Sequence, residues 1–82
     1  MKIHVANLAL ETTTADLRAV FASFGDVKSA RVIYDRTTGR SREFGFVEMV
    51  NHDEAAAAMI SLGQTELQGR KLRLSEAVNN EK

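Results

Sequence analysis

Hydrophobic residues of this 82-residue chain recur with two different periods, and the period changes along the sequence. Four segments alternate apolar and polar positions, as half-buried β-strands do: 2–8, 28–34, 43–50 and 69–77. Two intervals between them repeat apolar residues every three or four positions, which is typical of amphipathic helices. The stripes are Leu17, Val20, Phe21 and Phe24 in the first helix and Ala55, Ala58, Met59 and Leu62 in the second. The predicted order is strand, helix, strand, strand, helix, strand.

Capping residues mark the ends of both predicted helices. Thr13 is the expected N-cap of the first helix, because Asp16 follows three residues later in an acidic variant of the capping box. Gly25 is expected to end this helix in the left-handed conformation. For the second helix, the expected N-cap is Asn51 or Asp53, and the expected end is Gly63.

The single apolar stripe on each helix determines the predicted architecture. Each helix can cover only one face of a sheet, and right-handed crossovers place both helices on the same side. The sequence therefore predicts an α+β fold, a ferredoxin-like β-α-β-β-α-β sandwich with a four-stranded antiparallel sheet and two helices on one face. The other sheet face is expected to be open to water. We predict one domain over residues 1–78 and a polar tail over residues 79–82.

Composition narrows the range of functions only slightly. Eleven basic residues balance eleven acidic ones, so the total charge does not indicate a nucleic-acid ligand. The basic residues are unevenly distributed, since segments 36–42 and 69–73 each contain three of them and no acidic residue. Each segment taken alone is more typical of a solvated loop. The sequence has no cysteine, signal-peptide pattern or long apolar run, which predicts a soluble cytoplasmic protein.

The third predicted strand presents two alternating sets of residues, and one set must meet the helices. The first set is Gly45, Val47 and Met49, and the second is Phe44, Phe46 and Glu48. Burying the second set would desolvate an unpaired carboxylate, which costs at least several kcal/mol. The first set carries no such cost, and Gly45 would let a helix approach closely. Phe44 and Phe46 are therefore predicted to lie on the open face.

The same alternation places further rings and cations on the open face. With Ile3 and Val5 inward, His4 points outward, and corresponding arguments turn the side chains of Arg31, Lys71 and Arg73 outward. An exposed aromatic patch of this kind usually marks a binding site. Rings between arginine and lysine side chains suit stacked bases and a phosphate backbone.

Two segments of the chain resemble the paired motifs of the RNA recognition motif (RRM) family. "REFGFVEM" (42–49) resembles the family's octamer, and "IHVANL" (3–8) resembles its hexamer. The two motifs lie about 40 residues apart with the expected elements between them, and the resemblance extends from Lys2 to Ala77. The chain is most similar to the short stand-alone RRM proteins of bacteria.

This resemblance implies single-stranded nucleic acid, most of all RNA, as the partner, with single-stranded DNA and weak self-association left open. By position, Phe46 and His4 would each stack on a base, Phe44 would contact sugars or insert between nucleotides, and Arg42 would reach a phosphate. Arg31, Lys71 and Arg73 would extend the site across the outer strands. Asn7 matches the hexamer asparagine and is interpreted as a structural residue. Two departures from the family pattern stand out. His4 stands in place of the usual Phe or Tyr, which gives a smaller ring, and Glu43 replaces a glycine and puts a carboxylate beside Arg42.

Two other classes of function were weighed against nucleic-acid binding. An enzyme is not expected, because His4 and His52 are the only histidines and neither has a metal-ligand spacing. No cofactor and no metal site are predicted. The alternative is a protein-interaction module that docks a peptide or a second copy on Phe44, Phe46 and Ile33. The balanced charge and Glu43 favour that alternative over a typical nucleic-acid-binding protein.

Overall fold

The structure is a computed structural model that describes residues 1–77. Its helices are α1 (Thr14–Ala22) and α2 (His52–Leu62). Its strands are β1 (Lys2–Ala6), β2 (Val27–Tyr34), β3 (Ser41–Met49), β4 (Glu66–Leu67), β5 (Arg70–Lys71) and β6 (Arg73–Glu76). The predicted domain boundary at residue 78 and the predicted tail lie outside the described residues. Neither helix within residues 1–77 is long and apolar enough to cross a membrane.

Four of the strands form one antiparallel sheet in the order β2-β3-β1-β6. The first and third strands of the chain therefore lie side by side at the centre of the sheet. One face of the sheet packs against both helices, and the residues of this core come from every layer: Ile3, Val5, Val32, Val47, Met49 and Leu72 from the strands and connections, and Leu17, Phe21, Ala55, Ala58 and Leu62 from the helices. This architecture confirms the predicted ferredoxin-like α+β fold.

Both helices begin at the residues that capping chemistry predicts. The Asp16 N–H donates to the Thr13 hydroxyl at 3.1 Å, and the Thr13 N–H donates to the Asp16 carboxylate at 3.1 Å, which completes the capping box. Of the two candidate caps for α2, Asn51 is the N-cap, since its side-chain oxygen accepts from the Glu54 N–H at 2.9 Å, whereas Asp53 lies in the first turn. Gly63 is the C-cap of α2, as predicted. Both α1 and α2 are therefore fixed in place at their first turns by local hydrogen bonds.

Two predictions about glycine are wrong. The helix α1 ends at Ala22, and its C-cap is Ser23, which has right-handed backbone angles. Gly25 lies two residues beyond the C-cap with φ 159°, outside the left-handed helical region. The space beside Gly45 is not filled by a helix. A Cβ atom there would collide with the carbonyl oxygen of Arg31 and lie 3.1 Å from the Cα of Val32, both in β2. Gly45 therefore permits close contact between two strands of the sheet.

The predicted fourth strand over residues 69–77 is also wrong in its extent. Only Arg73–Glu76 joins the main sheet, whereas Arg70–Lys71 pairs with Glu66–Leu67 in a separate two-stranded ribbon. The turn of this ribbon contains Gln68 and Gly69, with φ 52° and 84°, and these left-handed conformations reverse the chain within two residues. Leu72 follows the ribbon and is buried in the core, which separates β5 from β6.

Candidate functional site

Strand register brings most of the predicted contact residues into two rows across the open face of the sheet. The first row consists of cross-strand neighbours, in the order Arg31, Phe46, His4 and Ser75. The second row lies beside it, in the order Phe44, Ala6 and Arg73. The rings of the first row thus meet those of the second near the middle of the sheet. Each row begins or ends with an arginine at an outer strand.

The three rings of this face form one contiguous cluster. The ring centroid of His4 lies 5.5 Å from that of Phe44 and 5.2 Å from that of Phe46, and the two phenylalanine centroids are 6.1 Å apart. The phenylalanine rings meet edge to face at 86°, and His4 is tilted to both. All three side chains are only partly buried, whereas Gly45 and Val47, which alternate with the phenylalanines along β3, are buried. The predicted orientation of the third strand is therefore confirmed.

Cationic side chains surround the ring cluster. Arg31 is the cross-strand neighbour of Phe46 on β2, and Arg73 occupies the outer strand beside Ala6. Both are exposed. The Nζ atom of Lys2 lies 5.2 Å from the centroid of the Phe46 ring, within the range of a cation–π contact. Sequence reasoning missed Lys2, although its position two residues before His4 already places it on the same face.

Lys71 differs from the other predicted contact residues because it lies in the ribbon rather than in the sheet. Its carbonyl oxygen accepts from the side-chain amide of Asn7 at 2.8 Å. Its exposed side chain extends from β5, and its contact with a ligand stays a prediction. The Asn7 backbone has φ 62°, a left-handed conformation that asparagine tolerates better than most residues. These observations agree with the structural role interpreted for Asn7.

The loop between β2 and β3 carries the first basic segment and is ordered by Asp35. The carboxylate of Asp35 accepts from the backbone N–H groups of Thr38 and Thr37, at 2.9 and 2.8 Å. These two hydrogen bonds lower the pKa of Asp35, and the charge of Arg42 acts in the same direction. Gly39 closes the turn with φ 75°, and its N–H donates to the Asp35 carbonyl at 2.8 Å. The loop therefore presents its arginines from a defined turn.

Glu43 has an unusual backbone conformation beside the rings. Its φ is 65°, in the left-handed region where a side chain other than that of glycine costs on the order of 1–2 kcal/mol. Hydrogen bonds hold it there, because its N–H donates to the Ser41 hydroxyl at 2.9 Å and its carbonyl accepts from the Leu8 N–H at 2.9 Å. The family octamer usually has a glycine at this position, which could have indicated a left-handed backbone conformation. From the sequence, only the charge of Glu43 was considered.

The position of Glu43 in the sequence suggested an ion pair with Arg42. In the structure its carboxylate pairs instead with Arg70. Its Oε1 atom lies 3.7 Å from Nη1 of Arg70 in the ribbon. The same Arg70 nitrogen donates to the Asn7 side-chain oxygen at 2.8 Å and to the Leu8 carbonyl at 3.4 Å. Arg70 therefore links the ribbon to the end of β1, and Arg42 stays free of an ion pair within the part of the chain that the structure describes.

A shallow cavity of about 580 Å³ opens at the end of the ring cluster. Its walls combine rings, cations, one carboxylate and one amide: His4, Ala6, Asn7, Arg42, Glu43, Phe44 and Arg73. Among residues 1–77, no cluster of histidine and acidic side chains could hold a metal ion. The cavity can therefore accept a flat ring against Phe44 or His4 while guanidinium groups reach neighbouring phosphates.

Two kinds of comparison relate this chain to known proteins, and the first uses sequence alone. The family model for the RNA recognition motif matches residues 3–73. RbpD of Nostoc sp., which is named as an RNA-binding protein, is 47% identical over 77 residues, or 94% of this chain and 82% of that protein. RbpA of Synechocystis sp., named in the same way, is 46% identical over 77 residues, or 94% of this chain and 76% of that protein.

Solved structures give the second comparison. The crystal structure of RNA-binding protein PG1 matches with a TM-score of 0.93 at 46% identity, over 100% of this chain and 99% of that one. The second RRM domain of the yeast poly(U)-binding protein matches with a TM-score of 0.86 at 34% identity, over 99% of this chain and 98% of that one. The whole described fold is therefore shared with these proteins.

Proposed function

This chain belongs to the RNA recognition motif family, and from that premise we propose that it binds single-stranded RNA on the open face of its sheet. The observation that carries the proposal is the uncovered cluster of His4, Phe44 and Phe46 between arginines. Each base stacked on a ring contributes about 1–3 kcal/mol, because every base has a flat π-face and the ring is already held in place by the sheet. The cytoplasm, where bacterial RNA is found, is the compartment we propose.

The two rows of the site suggest how a strand of RNA lies across the sheet. Phe46 and His4 belong to one row and are cross-strand neighbours, so each can take one base. Phe44 belongs to the next row and contacts the sugars between them or the base that follows. Arg31 and Arg73 sit on opposite outer strands, which lets a phosphate backbone that crosses the sheet meet a cation on each side. Arg42 at the cavity supplies a further phosphate contact.

The ligand class is tested by an NMR titration with matched RNA and DNA oligomers of the same sequence. We expect amide shifts at His4, Phe44 and Phe46, and no shifts at Ile60, which is exposed on α2. Single-stranded DNA shares the bases and phosphates, so it is expected to bind the same residues. Weaker binding of DNA would show that 2′-hydroxyl groups contribute. Shifts confined to residues outside the ring cluster would contradict the proposal.

The phosphate contacts are tested by the salt dependence of the affinity. Each phosphate neutralised on a single strand contributes a slope of about −0.7 in log K against log salt concentration. Arg73→Gln is expected to reduce the slope by one such step. The matched control is Arg18→Gln, because Arg18 lies on α1 and donates to the Val27 carbonyl at 3.3 Å, away from the open face. Affinity that does not change with salt would indicate apolar docking of a peptide or a second copy instead.

A further inference from the structure

The wall of the cavity beside the rings contains one carboxylate, and its single contact among residues 1–77 is a long ion pair. This carboxylate is that of Glu43, and the side chain is 42% exposed. The contact to Arg70 is long, at 3.7 Å, and no hydrogen bond among residues 1–77 ends on the Glu43 carboxylate. An ionised carboxylate has two oxygens and about four lone-pair sites. Acceptor capacity therefore remains available to a ligand in the cavity.

The other polar side chains of the cavity wall differ in whether they already form hydrogen bonds among residues 1–77. The Asn7 amide is committed on both sides, since its nitrogen donates to the Lys71 carbonyl and its oxygen accepts from Arg70. Arg42 and Arg73 can donate but cannot accept. A base placed against Phe44 or His4 thus meets one anionic acceptor and two cationic donors. The backbone of Glu43 is held by hydrogen bonds at both its N–H and its carbonyl, so the position of the acceptor is preset.

Guanine is the base that complements this arrangement best. Its Watson–Crick edge presents two adjacent donors, the N1–H and the 2-amino group, and its O6 and N7 atoms accept from arginine. Adenine and cytosine each offer one amino group beside a ring nitrogen that accepts. Uracil offers one N–H between two carbonyl oxygens, which a carboxylate repels. On the basis of the proposed function, we infer that Glu43 makes this cavity a guanine-selective subsite that disfavours uracil most strongly.

Selectivity is measured with a short oligouridine and the same oligomer containing one central guanosine. The wild-type protein is expected to bind the guanosine oligomer about tenfold more tightly, the size of one good bidentate contact to a base edge. Replacing that guanosine by inosine removes the 2-amino group and should give an intermediate affinity. Equal affinity of the wild-type protein for all three oligomers would overturn the inference while leaving the proposed function intact.

Two substitutions separate the carboxylate from the backbone conformation. Glu43→Gln keeps the side-chain shape and the Cβ atom but loses the charge, and it should reduce the guanine preference to about twofold or less. Glu43→Gly should also lose the preference, mainly through tighter binding of oligouridine. A full preference in both variants would overturn the inference. Absence of binding to every oligomer would contradict the proposed function, and the inference with it.

Discussion

The two faces of the main sheet are built from the same strands yet differ in almost every property. On the covered face, Ile3, Val5 and Val47 have no exposed surface and belong to the same buried cluster as residues of both helices. On the open face, His4, Phe44 and Phe46 are partly exposed and contact one another. Successive residues of one strand thus serve opposite purposes. Burial in the core therefore determines the residues of the covered face, whereas the open face keeps aromatic rings that stability alone does not require.

Ile3 and His4 are adjacent in β1 and provide the sharpest test of this division. Ile3→Ala should lower the free energy of unfolding by about 2–5 kcal/mol, because it leaves a cavity in a close-packed core. That is a large fraction of the roughly 5–15 kcal/mol that stabilises a small domain. His4→Ala is the matched control and should lower RNA affinity with a much smaller loss of stability. Chemical denaturation of both variants measures the difference, and equal losses would erase the distinction between the faces.

The double variant Phe44→Ala with Phe46→Ala tests the open face alone. Loss of two stacking rings should weaken RNA binding by about 2–6 kcal/mol, since each ring contributes about 1–3 kcal/mol. Fluorescence anisotropy with a labelled oligomer measures this loss. The fold should persist, because neither ring belongs to the buried core. An unfolded double variant would show instead that the rings support the structure and that the open face is not a dispensable layer.

Glu43 is an exception to the division between a stabilising covered face and a binding open face. It belongs to the candidate site, and its backbone conformation lowers stability. Glu43→Gly should be more stable than Glu43→Ala by about 1 kcal/mol, because only the alanine keeps a Cβ atom at a φ of 65°. Both variants lose the exposed contact to Arg70, so that loss cancels in the comparison. Thermal or chemical denaturation provides the measurement. Equal stability of the two variants would mean that the left-handed conformation is relaxed once the glutamate is removed.

The spacing of apolar residues predicted the helices and strands that bury one face. It did not predict the features that depend on backbone conformation. The helices and the central strands β1 and β3 bury regularly spaced residues, so their existence and the face that each buries followed from apolar spacing. The ribbon at 66–71 has strands of two residues, too short to show a period, and it depends on left-handed backbone at Gln68 and Gly69. A Cβ atom added at Gly45 would meet strand β2 rather than a helix, and the pattern of polar and apolar residues does not encode such a close approach between strands.

The candidate site followed from the sequence only in part. Strand alternation predicted the outward rings and the cations Arg31 and Arg73, because a period of two assigns every residue to a face. The same period of two also assigns Lys2 to the open face, although Lys2 is not among the predicted contact residues. The ion pair between Glu43 and Arg70 joins β3 to β5, two strands that are far apart in the sequence. Such a contact depends on the ribbon, and no local pattern predicts it.

Acid denaturation offers the smallest test, and it concerns the start of α1, away from the open face. Hydrogen bonds from Thr13 lower the pKa of Asp16 below the ordinary aspartate value of 3.8, because they stabilise the carboxylate at the start of α1. A carboxyl group with a lowered pKa in the folded state contributes stability above pH 3.8, and the contribution disappears as the pH falls through the folded value. Asp16→Asn should therefore be slightly less stable than the wild type at neutral pH, with the gap closing in acid. Denaturation midpoints between about pH 7 and pH 2 measure this difference in stability.

Glu11→Gln is the control, because Glu11 is exposed and takes no part in the capping box. A stability difference between wild type and Asp16→Asn that stays constant over this pH range would exclude the Asp16 carboxylate as a source of acid sensitivity. Asp35, in the loop between β2 and β3, would then be the next carboxylate to test.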